Sequence, residues 1–119
     1  RWDALYRELL TPLNGVTCVA PVRQIKRNFA YFPILISAEC GASRDEIYET
    51  LKRHGIFARR YFYPLISSFP MYNSHPSASI STLPVANDIS QRVLCLPLYP
   101  DLEESDVCRI CGVIQGALQ

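Results

Sequence analysis

Gly55-Ile56-Phe57-Ala58-Arg59-Arg60-Tyr61-Phe62-Tyr63-Pro64-Leu65 is the stretch where one pattern of residues ends and another begins, and the elements on either side are read from it. Upstream, Ser43 and Glu46 make a capping box, the hydroxyl accepting an orphan amide and the carboxylate reaching back. Ile47, Tyr48 and Leu51 form a short apolar stripe on the helix that follows. Asp45 and Glu46 stand at its amino end and Lys52, Arg53 and His54 at its carboxyl end, as the helix dipole prefers. Gly55 supplies the left-handed exit residue. From Ile56 to Tyr63 the aromatic and branched residues predict a strand, which Pro64 ends by removing a ladder donor. Alternation along that strand puts Arg59, Tyr61 and Tyr63 on one face and Arg60 and Phe62 on the other. Two readings stay open. Guanidinium forks beside phenols suit an anion such as phosphate, while an exposed edge strand also carries charges to block edge pairing.

Length and composition bound the rest. The chain has 119 residues, 49% of them apolar, which is enough for one domain with one core, spanning 1–119. A formal net charge of +1 with acids and bases interspersed speaks against a broad nucleic-acid footprint or a membrane-surface role. No apolar run reaches the roughly 20 residues that span a bilayer, and no secretory leader is visible, so a cytoplasmic location is expected. The odd count of five cysteines predicts reduced thiols. Cys108-Arg-Ile-Cys111 falls inside a helical pattern, with Cys111 on an apolar face beside Val107, Ile110, Ile114 and Leu118, and no finger spacing joins it, so no metal site is expected. His75, beside Pro76, has no group to orient it as a base.

In chain order, Trp2, Leu5, Tyr6, Leu9 and Leu10 make a helical stripe from the first turn, with no cap before it. An uncapped start at Arg1 leads to the expectation that further residues precede it in the native protein. Asn14-Gly15 is a turn, Val16 to Val19 a short extended piece, and Arg23, Lys26 and Arg27 a small basic loop cluster. Phe29 to Ser37 predicts a strand covered on both faces. A proline inside a strand belongs on an edge or a bulge, so either this is an edge strand or the Pro33 nitrogen faces outward. After the capped helix and the strand at Ile56, residues Pro64 to Leu83 form a long connection carrying Phe69, Met71 and Tyr72, which is expected to pack against something. Pro84 starts a helix reaching about Arg92. Val93 to Leu98 is a strand, and Glu103 to Leu118 the last helix. The sum is an α+β two-layer domain: a three-stranded, mainly antiparallel sheet with three to four helices on one face.

These residues resemble the carboxyl-terminal small domain of the DegT/DnrJ/StrS sugar-nucleotide aminotransferases, which are fold-type I pyridoxal-phosphate enzymes. The resemblance rests on Gly55-Ile56, Tyr61-Phe62 and Pro64-Leu65, then on Leu83-Pro84-Val85-Ala86 and Leu96-Pro97-Leu98-Tyr99-Pro100, and covers nearly the whole chain. It implies an enzyme that converts a nucleotide-linked keto-deoxysugar to an amino sugar, with pyridoxal phosphate as cofactor and glutamate as amino donor. It also implies a homodimer and a large amino-terminal domain that holds the cofactor. The form of residues 59–65 is most similar to the subgroup acting on dTDP-linked sugars. Many family members have histidine where this chain has Tyr61, and again near Ile66. By the same resemblance the segment reaches the crevice between domains, where Arg59, Arg60, Tyr61 and Tyr63 would contact the substrate. The only lysines are Lys26 and Lys52, neither in surroundings that activate a covalent lysine, so 1–119 alone is expected to be inactive. The alternatives are a stand-alone module that binds a phosphorylated metabolite and an assembly module whose long connection docks on a partner.

Overall fold

Trp2, Leu5, Tyr6, Leu9 and Leu10 do lie on one side of a helix, α1 (Trp2–Leu10), with Tyr6 and Leu10 fully buried. The computed structural model describes every residue except 23, 25, 38 and 39. Arg23 of the basic cluster and Glu39 before the capped helix therefore lie outside the described residues. β1 (Val16–Cys18) and β2 (Phe32–Ile36) follow α1, then α2 (Arg44–Arg53), α3 (Pro84–Arg92), β3 (Val93–Leu96) and α4 (Glu104–Ala117). Two short 3-10 turns, Ile66–Ser68 and Pro76–Ala78, interrupt the long connection.

The helix boundaries follow from local chemistry. At α2 both arms of the capping box form: Glu46 N donates to Ser43 Oγ at 3.3 Å and Ser43 N to Glu46 Oε2 at 2.7 Å. Gly55 leaves the helix at φ +73°. Gly15, at φ +84°, is required twice over, because a Cβ there would also sit 2.2 Å from Cys40 Cβ. Pro84 occupies the first turn of α3. Glu103 N donates to Asp106 Oδ2 at 3.2 Å at the start of α4.

The sheet is three-stranded and antiparallel, in the order β1-β2-β3. Phe32, Ile34 and Ile36 point into the core with Leu94 and Leu96, where they meet Ile47 and Leu51 of α2, Tyr6 and Leu10 of α1, and Val107, Ile110, Cys111 and Ile114 of α4. Tyr6 stacks on Phe32 at 4.8 Å and donates its hydroxyl to Pro97 O at 2.9 Å. Burial raises its pKa.

Of the two alternatives at Pro33 the edge strand is corrected, because Pro33 sits in the central strand, and the outward-facing proline nitrogen holds. The Pro33 carbonyl accepts from Val19 N at 3.4 Å, so its missing N–H faces the point where β1 has ended and no ladder bond is lost toward β3. The strand expected over Ile56 to Tyr63 does not form, and β1 takes its place in the count. Arg59 alone bridges to Cys95, with bonds of 2.9 and 2.8 Å. In that register the next partners on either side are Pro97, which has no N–H, and Val93, which already follows the last residue of α3. A four-residue β3 offers nothing further to pair with.

Candidate functional site

Because Arg59 is pinned to β3 while the residues after it are not, the backbone turns there, and Tyr63 N donates to Arg60 O at 2.8 Å. The four residues expected in the site are consequently sorted into two groups. Arg59 and Tyr61 stay together: the Arg59 guanidinium donates to the Tyr61 hydroxyl, which raises its already high pKa, and Tyr61 meets Tyr31 edge-on at 5.4 Å. Both line an open cleft of about 330 Å³ shared with Phe57, Tyr31 and Tyr99, at the end of the sheet where β2 begins and β3 runs out. Arg59 and Phe57 are exposed, so a cation, three phenols and a phenyl ring face one opening. That donor set suits an anion attached to a planar or apolar group.

Arg60 and Tyr63 belong elsewhere, so the strand alternation that grouped Tyr63 with Arg59 is corrected by the turn. The Arg60 guanidinium pairs with Asp45 at 2.8 Å and lies 4.3 Å from the Tyr48 ring and 5.2 Å from that of Tyr63. Asp45 is shared with Arg44, whose side chain is 1% exposed. Arg44 donates to Ser90 O at 2.9 Å and to Val93 O at 3.0 Å, and lies over the Tyr63 ring at 4.8 Å. Burial raises the Asp45 pKa, but hydrogen bonds from Arg60 and Arg44 outweigh it and leave the carboxyl below its ordinary range. This cluster ties the start of α2, the turn at residues 60–63 and the α3–β3 junction into one piece.

Sequence reading missed Arg44. Its signal is a cation in the first turn of a helix, where the dipole disfavours it, so a specific acceptor was to be sought. Tyr31 and Phe57 carry no comparable mark, whereas Tyr99 lies in the Leu-Pro-Leu-Tyr-Pro run already singled out. In the basic loop, Arg27 is taken by Asp3 at 2.9 Å and Lys26 is exposed. Cys111 is buried within α4 and Cys108 exposed. Among the described residues no group of three or more His, Cys, Asp and Glu gathers, and no helix is long and apolar enough to cross a membrane.

The whole chain has relatives with this arrangement. Residues 2–115 match the model of the DegT/DnrJ/EryC1/StrS aminotransferase family. An Escherichia coli dTDP-4-amino-4,6-dideoxy-D-glucose transaminase is 46% identical over 98% of this chain and 31% of its own length. A Shigella dysenteriae enzyme of the same name is 41% identical over 88% of this chain and 28% of its own. Among solved structures, DesI in the presence of its TDP-sugar product superposes with a TM-score of 0.88 at 28% identity, over 99% of this chain and 30% of that one. The chain thus spans about a third of the length of the relatives it matches, and it belongs to the DegT/DnrJ/EryC1/StrS aminotransferase family.

Proposed function

We propose that these residues are the small domain of an aminotransferase that exchanges the keto group of a dTDP-linked 4-keto-6-deoxyhexose for an amino group, taking nitrogen from glutamate. The observation that carries this reading is 46% identity over 98% of the chain to a dTDP-4-amino-4,6-dideoxy-D-glucose transaminase. Transamination toward that product consumes the 4-ketone. The cleft supports a share in binding: Arg59 and Tyr61 offer a charge-assisted donor and a hydroxyl suited to a diphosphate, and the rings of Phe57, Tyr31 and Tyr99 suit a sugar or base face. About 330 Å³ is too little for a whole sugar nucleotide, so the cleft supplies one wall and the rest of the enzyme the other.

Pyridoxal phosphate is the cofactor this reading assigns to the enzyme, and the described residues do not fit it. Lys52 is exposed in the last turn of α2 beside Arg53, and Lys26 is exposed in a loop, so neither is desolvated as a covalent lysine is. The lysine and the phosphate site are assigned to the part of the enzyme outside these residues. A cytoplasmic homodimer completes the proposal.

The complete enzyme, given the dTDP-linked 4-keto-6-deoxyhexose and glutamate, is expected to release 2-oxoglutarate and the 4-amino sugar. Turnover of a UDP-linked ketosugar in preference to the dTDP-linked one would overturn the substrate assignment, and turnover of neither would overturn the reading.

A further inference from the structure

Between Ala58 and Ser90 no residue is buried. From Leu65 to Thr82 each hydrogen bond among the described residues stays within the segment or reaches Leu83 next to it, as in Ser68 to Leu65, Tyr72 to Phe69, His75 to Ser77 and Ser79 to Thr82. With its two 3-10 turns the segment is an arm folded on itself and standing off the core. The radius of gyration is accordingly 15.5 Å, against about 13.5 Å for a compact domain of this length.

The composition of the arm does not suit solvent. From Tyr61 to Asn87, 27 residues, there is no Lys, Arg, Asp or Glu, in a chain that is 19% charged. Its apolar side chains are among the most exposed of the chain: Ile66 is 67% exposed, Met71 71% and Ile80 72%, with Tyr72 also open. Depletion of charge with enrichment of Tyr, Phe and Met marks the core of a protein interface, and a contiguous exposed apolar surface marks an association site.

We infer that this arm docks on the remainder of its own polypeptide, the part of the aminotransferase that its relatives carry and these residues do not include. The inference rests on the proposed reading of the chain as a small domain. Relatives are about three times as long as the matched region, since this chain covers 31% and 28% of two of them, so an apolar partner surface is available in the same molecule. Tethering gives such a partner a high effective concentration that a separate protein lacks. The arm also leaves the core at Pro64, five residues after Arg59, so seating it fixes the Arg59–Tyr61 cleft against the other body.

Hydrogen–deuterium exchange of the 119-residue chain, which has its own core, and of the complete enzyme tests this. Amides of Leu65–Leu83 are expected to exchange at least about tenfold more slowly in the complete enzyme, as burial in a cooperative unit produces, with β2 protected in both. Met71→Asp with Ile80→Asp is expected to restore fast exchange there, yet leave the melting midpoint of the 119-residue chain unchanged. A benzophenone side chain at position 71 is expected to crosslink within one polypeptide. Equal exchange of the arm in the two proteins overturns the inference, and so do crosslinks that join two polypeptides. An active enzyme with a fast-exchanging arm would sink the inference and leave the functional reading intact. A protected arm without sugar-nucleotide turnover would do the reverse.

Discussion

Asp45 is one carboxylate serving two guanidiniums in different surroundings: Arg44 is buried, whereas Arg60 is about a third exposed. Asp45→Asn leaves Arg44 its two carbonyl acceptors but no counter-charge, and it releases Arg60. Because Asp45 is itself half-exposed, solvent tempers the loss, which is expected to be about 1–3 kcal/mol in urea denaturation at neutral pH. The sign of the pH dependence follows from the direction of the shift. The folded carboxyl titrates below the ordinary value of 3.8, so its stabilisation is present above that value and is lost as pH falls through the lower folded one. Asp45→Asn is therefore expected to cost less at acid pH than at neutral pH; an equal cost at both would assign the loss to packing. The same cluster separates the two adjacent arginines by role. Arg59→Ala and Tyr61→Phe in the complete enzyme are expected to raise KM for the sugar nucleotide, by about 1–3 kcal/mol for a charge-assisted contact, and to leave KM for the amino donor alone. Arg60→Ala is expected to act mainly on stability. Kinetics in which Arg60→Ala raises KM and Arg59→Ala does not would reverse the assignment. Here the sequence was half legible: alternation placed Arg59 with Tyr61, but it could not show that the chain turns after Arg59 and carries Tyr63 to Arg44.

Among the helices, α4 buries Val107, Ile110, Cys111 and Ile114, with Val107 and Ile114 at 0% exposure and Ile110 at 3%. Ile110→Ala and Ile114→Ala are each expected to destabilise by about 2–5 kcal/mol, as large-to-small changes in a filled core do. Chemical denaturation showing no loss for either would deny that the helix faces the core. Cys111, on the same stripe, adds an alkaline limb. Burial above all, with Cys108 nearby, pushes its thiol from an ordinary 9.0 to about 12. The unfolded chain then gives up its proton first, so stability is expected to fall as pH rises from 9.0 toward 12, and Cys111→Ala should flatten that limb. The helices were legible because their signals are local: a capping box at Ser43, a proline at the start of α3 and a 3.6-residue stripe in α4 each fix a boundary within a few residues. The strand over Ile56 to Tyr63 failed because pairing is not local. Its residues have strand propensity, but whether a ladder forms depended on β3 being only four residues long, with a helix before it and Pro97 after it. Val16–Cys18, short and unremarkable in composition, pairs because β2 leaves an edge free beside it.

At the scale of the molecule, the cleft at one end of the sheet and the arm that begins at Pro64 lie away from the helical layer. Among the described residues the interior is apolar apart from Arg44 and Ser90, and neither lysine is drawn into it. A covalent lysine must be held partly deprotonated near neutral pH, through desolvation or a neighbouring cation in a closed pocket. Lys52 stands next to Arg53 but is exposed to water, and Lys26 is exposed in its loop. The 119-residue chain is therefore expected to bind pyridoxal phosphate no better than any exposed lysine does and to show no aminotransferase turnover. Borohydride reduction followed by peptide mapping checks this. A stoichiometric adduct at Lys26 or Lys52 would place the cofactor in this domain and remove the division of labour proposed for the enzyme. If the adduct instead appears only in the complete enzyme, on a lysine outside these residues, then the domain contributes contacts to substrate while the bond-making groups come from elsewhere. In that case the variants at Arg59 and Tyr61 should change KM for the sugar nucleotide without changing the spectrum of the bound cofactor.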